Sequence, residues 1–272
     1  MMGVCMLFRW IASKARRTLQ GELRRGLAEG EFLLHYQPLY ALPRQEISGF
    51  EALIRWRHPE RGFVPPSEFI PVAEEIGLIE PIGAWALQQA CTDLARLPDH
   101  LSMSVNLSPV QFRSQDLVRQ VRSAMSQSEI DPQRIVLEIT ESTLLQGDPL
   151  TLRQLHELRG LGIGIAMDDF GTGYSSLSYL LRFPFDGIKI DRSFVGELGS
   201  ARCGSAIIRA ITDIATSLSM TTTAEGVETR EQLDALIELG CSQGQGYWWS
   251  KPLPVDEARV LCRTVPDAQV AA

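Results

Sequence analysis

Two adjacent carboxylates, Asp168 and Asp169, close a short apolar run, Ile163–Met167, within Gly162–Leu177. A run with no polar face is what a strand buried on both sides looks like. Paired carboxylates at such a strand end repel each other and lose solvation, and a divalent metal is the most economical cation to offset them. Taken alone, the pair also allows a local reading, in which Asp169 or a nearby hydroxyl caps the next helix and Asp168 is solvated. The wider pattern favours the cation. Glu51, Asn106, Glu138, Asp168, Lys189, Glu225 and Gln245 each fall at or near the C-terminal end of a different predicted strand. Glu51, Asn106, Glu138, Asp168 and Asp169 offer only oxygen, which suits Mg²⁺ or Mn²⁺ over zinc or copper. Two such ions, about 3.5–4 Å apart, can hold a phosphodiester and lower the pKa of bound water to make hydroxide. Lys189, opening Lys189-Ile190-Asp191, could orient that water or neutralise developing charge. The plainer reading of the same lysine is a salt bridge to Asp191 or Asp169.

Other chemistries find little support. His35, His58, His100 and His156 show no HxxxH or HxH spacing, which leaves them surface or packing roles. Gly162-x-Gly164 and Gly244-x-Gly246 do not complete a GxGxxG that opens a helix, and read as turn or close-packing glycines. The sequence contains neither a GxSxG elbow nor a Walker lysine motif.

The elements that must position these residues alternate. Phe32–Tyr40 and Ile47–Trp56 read as strands around a turn at Leu42-Pro43-Arg44-Gln45. Helices follow at Phe69–Gly77 and from Pro81 to about Leu97. Strands near 101–107, 135–140, 163–167, 187–190, 221–227 and 241–247 then alternate with helices from about 114 and near 150–161, 177–182, 205–218, 230–239 and 255–262. About eight strands in one domain read as a (β/α) barrel, in which all strand C-termini converge on one face. An open sheet would spread the seven polar ends along an edge.

At 272 residues, 44% hydrophobic and 22% charged, the chain has the composition of an ordinary soluble globule. A net charge of -7 argues against a broad nucleic-acid-binding face. Five scattered cysteines without CxxC spacing suit a reducing cytoplasm and behave as small buried hydrophobes. Met1–Ala12 is mostly apolar and precedes Lys14, Arg16, Arg17, Arg24 and Arg25. It is shorter than the roughly 20 residues of a spanning helix and lacks the layout of a secretory signal. Residues 1–26 therefore read as a leader helix or linker docking on a domain of residues 27–265. A basic segment lying on an anionic membrane is the second reading.

The ordered motifs resemble those of the EAL-domain phosphodiesterases, bacterial enzymes that degrade cyclic di-GMP. The match runs from about Leu23 to Val260. It takes in Tyr36-Gln37-Pro38, Glu51-Ala52-Leu53-Ile54-Arg55-Trp56, Pro66 with Phe69-Ile70, and Asn106-Leu107-Ser108. It continues through Glu138-Ile139-Thr140-Glu141, Asp168-Asp169-Phe170-Gly171-Thr172-Gly173, Lys189-Ile190-Asp191, Ala224-Glu225-Gly226-Val227-Glu228 and Gln245-Gly246-Tyr247 with Pro252. The resemblance implies a TIM-type (β/α)8 barrel whose first strand is antiparallel, and hydrolysis of one phosphodiester bond of cyclic di-GMP to linear pGpG with Mg²⁺ or Mn²⁺, two ions in all.

By matched position, Glu51, Asn106, Glu138 and Asp168 look like ligands of the first metal, with Asp169 bridging or serving a second. Lys189 and Glu225 look like the groups acting on the water, Glu225 as base, so that Glu225, Lys189, Glu51 and Asp168 form the implied catalytic set. Gln37, Arg55, Asp191, Glu228 and Gln245 look like substrate or supporting positions. Arg55 also makes independent sense as a bidentate phosphate clamp. Trp249 falls where the family often has an aromatic near a guanine, and core packing is the competing reading. The Asp168–Ser176 loop, anchored by Glu141, implies a homodimer. Relatives that serve as catalytically silent cyclic di-GMP receptors usually lack one of the acids or the lysine, and none is missing here. Ser242 departs from the acidic residue that the family often carries there.

Overall fold

Strands β1 (Phe32–Ala41) and β2 (Glu46–His58) form an antiparallel hairpin, with Gln37 opposite Glu51. The connecting turn ends at Gln45 in the left-handed region, φ 56°. β2 overruns the sheet, and β3 (Gly62–Val64) folds back on its overhang, pairing Trp56 with Val64. These relations come from a computed structural model, which describes residues 18–144, 149–171, 180, 182, 183, 185–198 and 202–264.

Six further strands continue in parallel from β2: β4 (Ser102–Leu107), β5 (Ile135–Thr140), β6 (Gly164–Phe170), β7 (Gly187–Ile190), β8 (Thr221–Ala224) and β9 (Gln243–Gly244). β9 pairs antiparallel with β1, which closes the sheet into a barrel of eight strands with β3 appended. The fold is thus a TIM-type (β/α)8 barrel whose first strand is antiparallel, as expected. Register brings the site together: Asn106 lies opposite Glu138, and Thr140 opposite Asp168.

The helices are α1 (residues 18–28), α2 (Pro66–Glu75), α3 (Ile79–Leu94), α4 (Leu117–Ser128), α5 (Glu141–Leu144), α6 (Pro149–Gly160), α7 (Arg192–Gly196), α8 (Arg202–Ser217), α9 (Arg230–Glu238) and α10 (Val255–Thr264). Thr229 opens α9 with a capping box, its side chain accepting from Gln232 N–H. The apolar side chains separate into two cores. The larger fills the barrel and its helical ring, from Leu34 and Phe50 through Met103, Ile139 and Ile188 to Ala258. The smaller joins α1, through Leu19 and Leu23, to Phe32, Trp56, Phe69 and Ile82. Tyr36 links β1 to α3 by donating to Asp93 Oδ2 at 2.6 Å.

Several boundaries differ from those read in the sequence. β6 does not end at Met167 but carries Asp168 and Asp169 within it. β8 and β9 are shorter, because only four and two residues pair. β2 is longer, so Glu51 sits mid-strand rather than near its end. The helix read near 177–182 lies mostly outside the described residues, as do residues 1–17 and the loop from Thr172 to Ser176. Glu141 opens α5, and its side chain also lies outside them.

Candidate active site

Lys189 is the hub. It sits on β7 at 3% exposure, and its Nζ lies 2.6 Å from Glu225 Oε1, 2.7 Å from Glu138 Oε2, 3.3 Å from Asp168 Oδ1 and 3.5 Å from Glu51 Oε1. Burial alone would lower the pKa of this ammonium, but Glu138, Glu51, Glu225 and Asp168 raise it well above the usual lysine value. It therefore stays charged. The plainer sequence reading gives way here: Lys189 meets these four carboxylates, while Asp191 caps α7 by accepting from Ser193 N–H at 3.0 Å.

The acids differ in how far their surroundings satisfy them. Both Glu51 oxygens are engaged, Oε1 by Asn106 Nδ2 at 2.7 Å and Oε2 by Gln245 Nε2 at 2.6 Å. Burial works against its charge, yet Lys189, Gln245 and Asn106 together hold its carboxyl below the usual range. Glu138 is pushed well above that range, first by burial and then by Glu51 and Asp168 against the pull of Lys189. Glu225, just past β8, is pushed up to about 7, chiefly by burial. One strand irregularity completes the set. The β6–β7 register slips between Met167 and Phe170, and Asp169 takes a φ of 54°. Such a bulge re-aims a side chain that strict alternation would send elsewhere. Asp168, Asp169 and Glu225 consequently present oxygens within 4.8 Å of one another. Burial, then Asp168, raises the Asp169 pKa.

Gln245 ties this cluster to β1, donating from Nε2 to Gln37 Oε1 at 2.9 Å. Its Oε1 is buried and has no hydrogen-bond partner among the described residues. Five carboxylates, the Asn106 amide and this spare acceptor are a donor set that fits hard divalent cations.

Four residues beyond Glu51 on β2, Arg55 lies at a cleft of about 290 Å³, lined by Leu34, Ile54, Ile70, Ile82, Asn106 and Ser108 among others. Asn106 thus belongs to both the acidic cluster and the cleft. Glu74 Oε1 accepts from Ser108 Oγ at 2.6 Å inside the cleft, a contact with no signal in the sequence because α2 and β4 meet only in the fold. Glu228 is exposed and stands apart from the hydrogen-bonded cluster, its backbone N–H donating to Gln232 Oε1. Trp249 stacks on Tyr40 at 4.8 Å between ring centroids, and its neighbours Tyr247 and Trp248 are exposed. Ser242 bonds to Thr222 within the barrel wall.

The family model described as EAL domain matches residues 20–252. This chain belongs to the EAL domain family. It is 40% identical over 261 residues to the bifunctional diguanylate cyclase/cyclic di-GMP phosphodiesterase MucR of Pseudomonas aeruginosa, covering 94% of this chain and 38% of MucR. Cyclic di-GMP phosphodiesterase NbdA of the same organism is 41% identical over 241 residues, covering 87% of this chain and 31% of NbdA. A solved structure described as PaMucR phosphodiesterase in c-di-GMP complex matches this EAL domain with a TM-score of 0.84 at 40% identity, covering 89% of this chain and 99% of that one. Against their full lengths, this chain spans 30–38% of the curated relatives it matches. The resemblance read from the motifs is borne out. Among the described residues, no helix is long and apolar enough to cross a membrane.

Proposed function

We propose that this EAL domain is a cyclic di-GMP phosphodiesterase that opens one phosphodiester bond to give linear pGpG, with two Mg²⁺ or Mn²⁺ ions. The carrying observation is the convergence of Glu51, Glu138, Asp168 and Glu225 on Lys189, with Asp169 beside them. With all five carboxylates ionised against one ammonium, four negative charges remain, which two divalent ions neutralise. Glu51, Asn106, Glu138 and Asp168 would hold the first ion, and Asp168, Asp169 and Glu225 the second. Bound there, such ions supply charge neutralisation for the phosphodiester and a water that is nucleophilic near neutral pH.

The chain's own groups do the rest. Glu225, whose Oε1 lies 2.6 Å from Lys189 Nζ beside the other acids, is placed to take a proton from the attacking water. Attack at phosphorus breaks the bond to the 3′ oxygen and leaves the phosphate on the 5′ side. Lys189 orients the water and offsets charge that develops on the phosphoryl oxygens. Arg55 grips the phosphate, and the apolar cleft behind it takes a planar base. Gln37 and Gln245 hold Glu51 in place, while Asp191 and Glu228 serve as supporting positions at the rim. Chromatography of cyclic di-GMP incubated with the protein and Mn²⁺ tests the reading. A pGpG peak that EDTA abolishes is expected, and no product in the presence of metal would overturn it.

A further inference from the structure

Strand β2 shows two different faces above the barrel mouth. Pairing sets Glu51 opposite Gln37, Leu53 opposite His35 and Arg57 opposite Phe63. Side chains alternate along a strand, so Glu51, Arg55 and Arg57 share one face with His35 and Phe63, and Ala52, Ile54 and Trp56 share the other. The second face is covered: Trp56 is fully buried, and Ala52 and Ile54 line the apolar cleft. The first is open. Phe63 is 58% exposed, the one exposed phenylalanine among the described residues, and Arg57 is exposed beside it. The exposure is built in, because Gly62 turns the chain at a φ of 70° and buried Val64 fixes β3 by its other face against Trp56. His35 lies against the ring, with centroids 5.9 Å apart and planes inclined by 62°. Since His35 pairs with Leu53, about 7 Å along β2 from Glu51, the Phe63 ring leans back toward the acidic cluster. Arg55 is near enough that its charge adds to burial in lowering the His35 pKa.

We infer that Phe63 is a stacking platform for the second base of the bound cyclic dinucleotide. The inference rests on the cyclic di-GMP reading of the site. Such a ligand carries two bases and the cleft takes one, while the Phe63 ring stands on the opposite face of β2 from that cleft. An open ring among guanidiniums holds a base by stacking while the cations draw the phosphates, and no hydrogen-bonding edge of the base is read. Phe63 therefore sets affinity for a two-base ligand and leaves the choice of base to other groups. It belongs neither to the acids nor to their ammonium, so its contribution falls on binding rather than on bond breaking.

Initial rates of cyclic di-GMP hydrolysis with Mn²⁺, wild type against Phe63→Ala, Phe63→Leu and Phe63→Trp in the full chain, test it. In Phe63→Ala, KM should rise by about 5–150-fold, the range for losing one base–aromatic stack, while kcat stays close to wild type. Phe63→Trp should restore the wild-type KM. Phe63→Leu should not, since leucine supplies apolar bulk without a π-face. Calorimetric Mn²⁺ binding and melting temperature should match the wild type in every variant, because the side chain is exposed. An unchanged KM in Phe63→Ala overturns the inference, as does a Phe63→Leu equal to the wild type, which would reduce the contact to apolar cover. If the wild type forms no product, the phosphodiesterase reading falls, and calorimetric Kd values for cyclic di-GMP decide this inference by themselves. Weaker binding by Phe63→Ala and Phe63→Leu then supports it, and equal binding overturns it. A wild type that neither cleaves nor binds cyclic di-GMP overturns both.

Discussion

The acidic cluster and the apolar cleft share β2 and β4 as walls, yet they hold their residues by opposite means. In the cluster, Glu138 and Glu225 are kept above their usual pKa first by burial and then by Glu51 and Asp168, and among the described residues Lys189 supplies the buried positive charge beside them. In the cleft, Ile70, Ile79 and Ile82 rest on the second core of Trp56, Phe69 and Leu23, where burial stabilises without any partner charge. The difference separates chemistry from recognition. The cluster concentrates buried like charge around one ammonium, while the cleft is walled chiefly by apolar packing. Neutralising an acid should therefore cost activity without costing stability, and truncating the second core should do the reverse.

The largest effect expected is from Glu138→Gln. Turnover should fall by about 10³-fold or more, the scale of losing one electrostatic contact to a transition state. The metal-free melting temperature should change little, because burial, Glu51 and Asp168 oppose the charge that Lys189 favours. A matching loss of stability would break the contrast. Phe69→Ala, in the second core, should cost about 3–5 kcal/mol by denaturant unfolding. Its loss of substrate affinity should exceed its loss of kcat, since Phe69 backs the cleft and not the cluster. Arg55→Ala should weaken cyclic di-GMP binding by about 10–100-fold with Mn²⁺ binding unchanged, read by calorimetry for each ligand.

The smallest effect is the pH dependence. Glu225 rises from its ordinary 4.5 to about 7 in the folded chain, so the folded state holds the proton longer than the unfolded one. Metal-free stability should thus be greatest below about pH 4.5 as far as this group is concerned, and decline by about 1–3 kcal/mol as pH climbs to 7. Added Mn²⁺ should stabilise more at pH 7 than at pH 5, because protons compete for the same carboxylates. Melting curves with and without Mn²⁺ across that range check both signs.

The barrel was legible because apolar strand runs and helical spacing alternate from Leu101 onward, and each alternation carried one polar residue to the same face. Elements of three to five residues, β3, α5 and α7, are too short for any period to show. The site's members were legible as residue types, but their contacts were not. Nothing in Lys189-Ile190-Asp191 says that the lysine meets four distant carboxylates rather than its neighbour. The bulge at Asp169 depends on the register of β7 against β6, a tertiary fact. Strand β2, read from the sequence as ending at Trp56, runs to His58 and recruits β3, whose three residues show no period of their own. Tyr36-Gln37-Pro38 shows the mixture within one motif: Tyr36 anchors α3 through Asp93, while its neighbour Gln37 faces Gln245 in the site.

Product formation from cyclic di-GMP, followed by chromatography with Mn²⁺ or Mg²⁺ and with EDTA, bears most directly on the central claim. Linear pGpG that accumulates with metal and disappears with EDTA is the expected result. Cyclic di-GMP that binds, with metal present, and is recovered intact would contradict it and make this EAL domain a receptor.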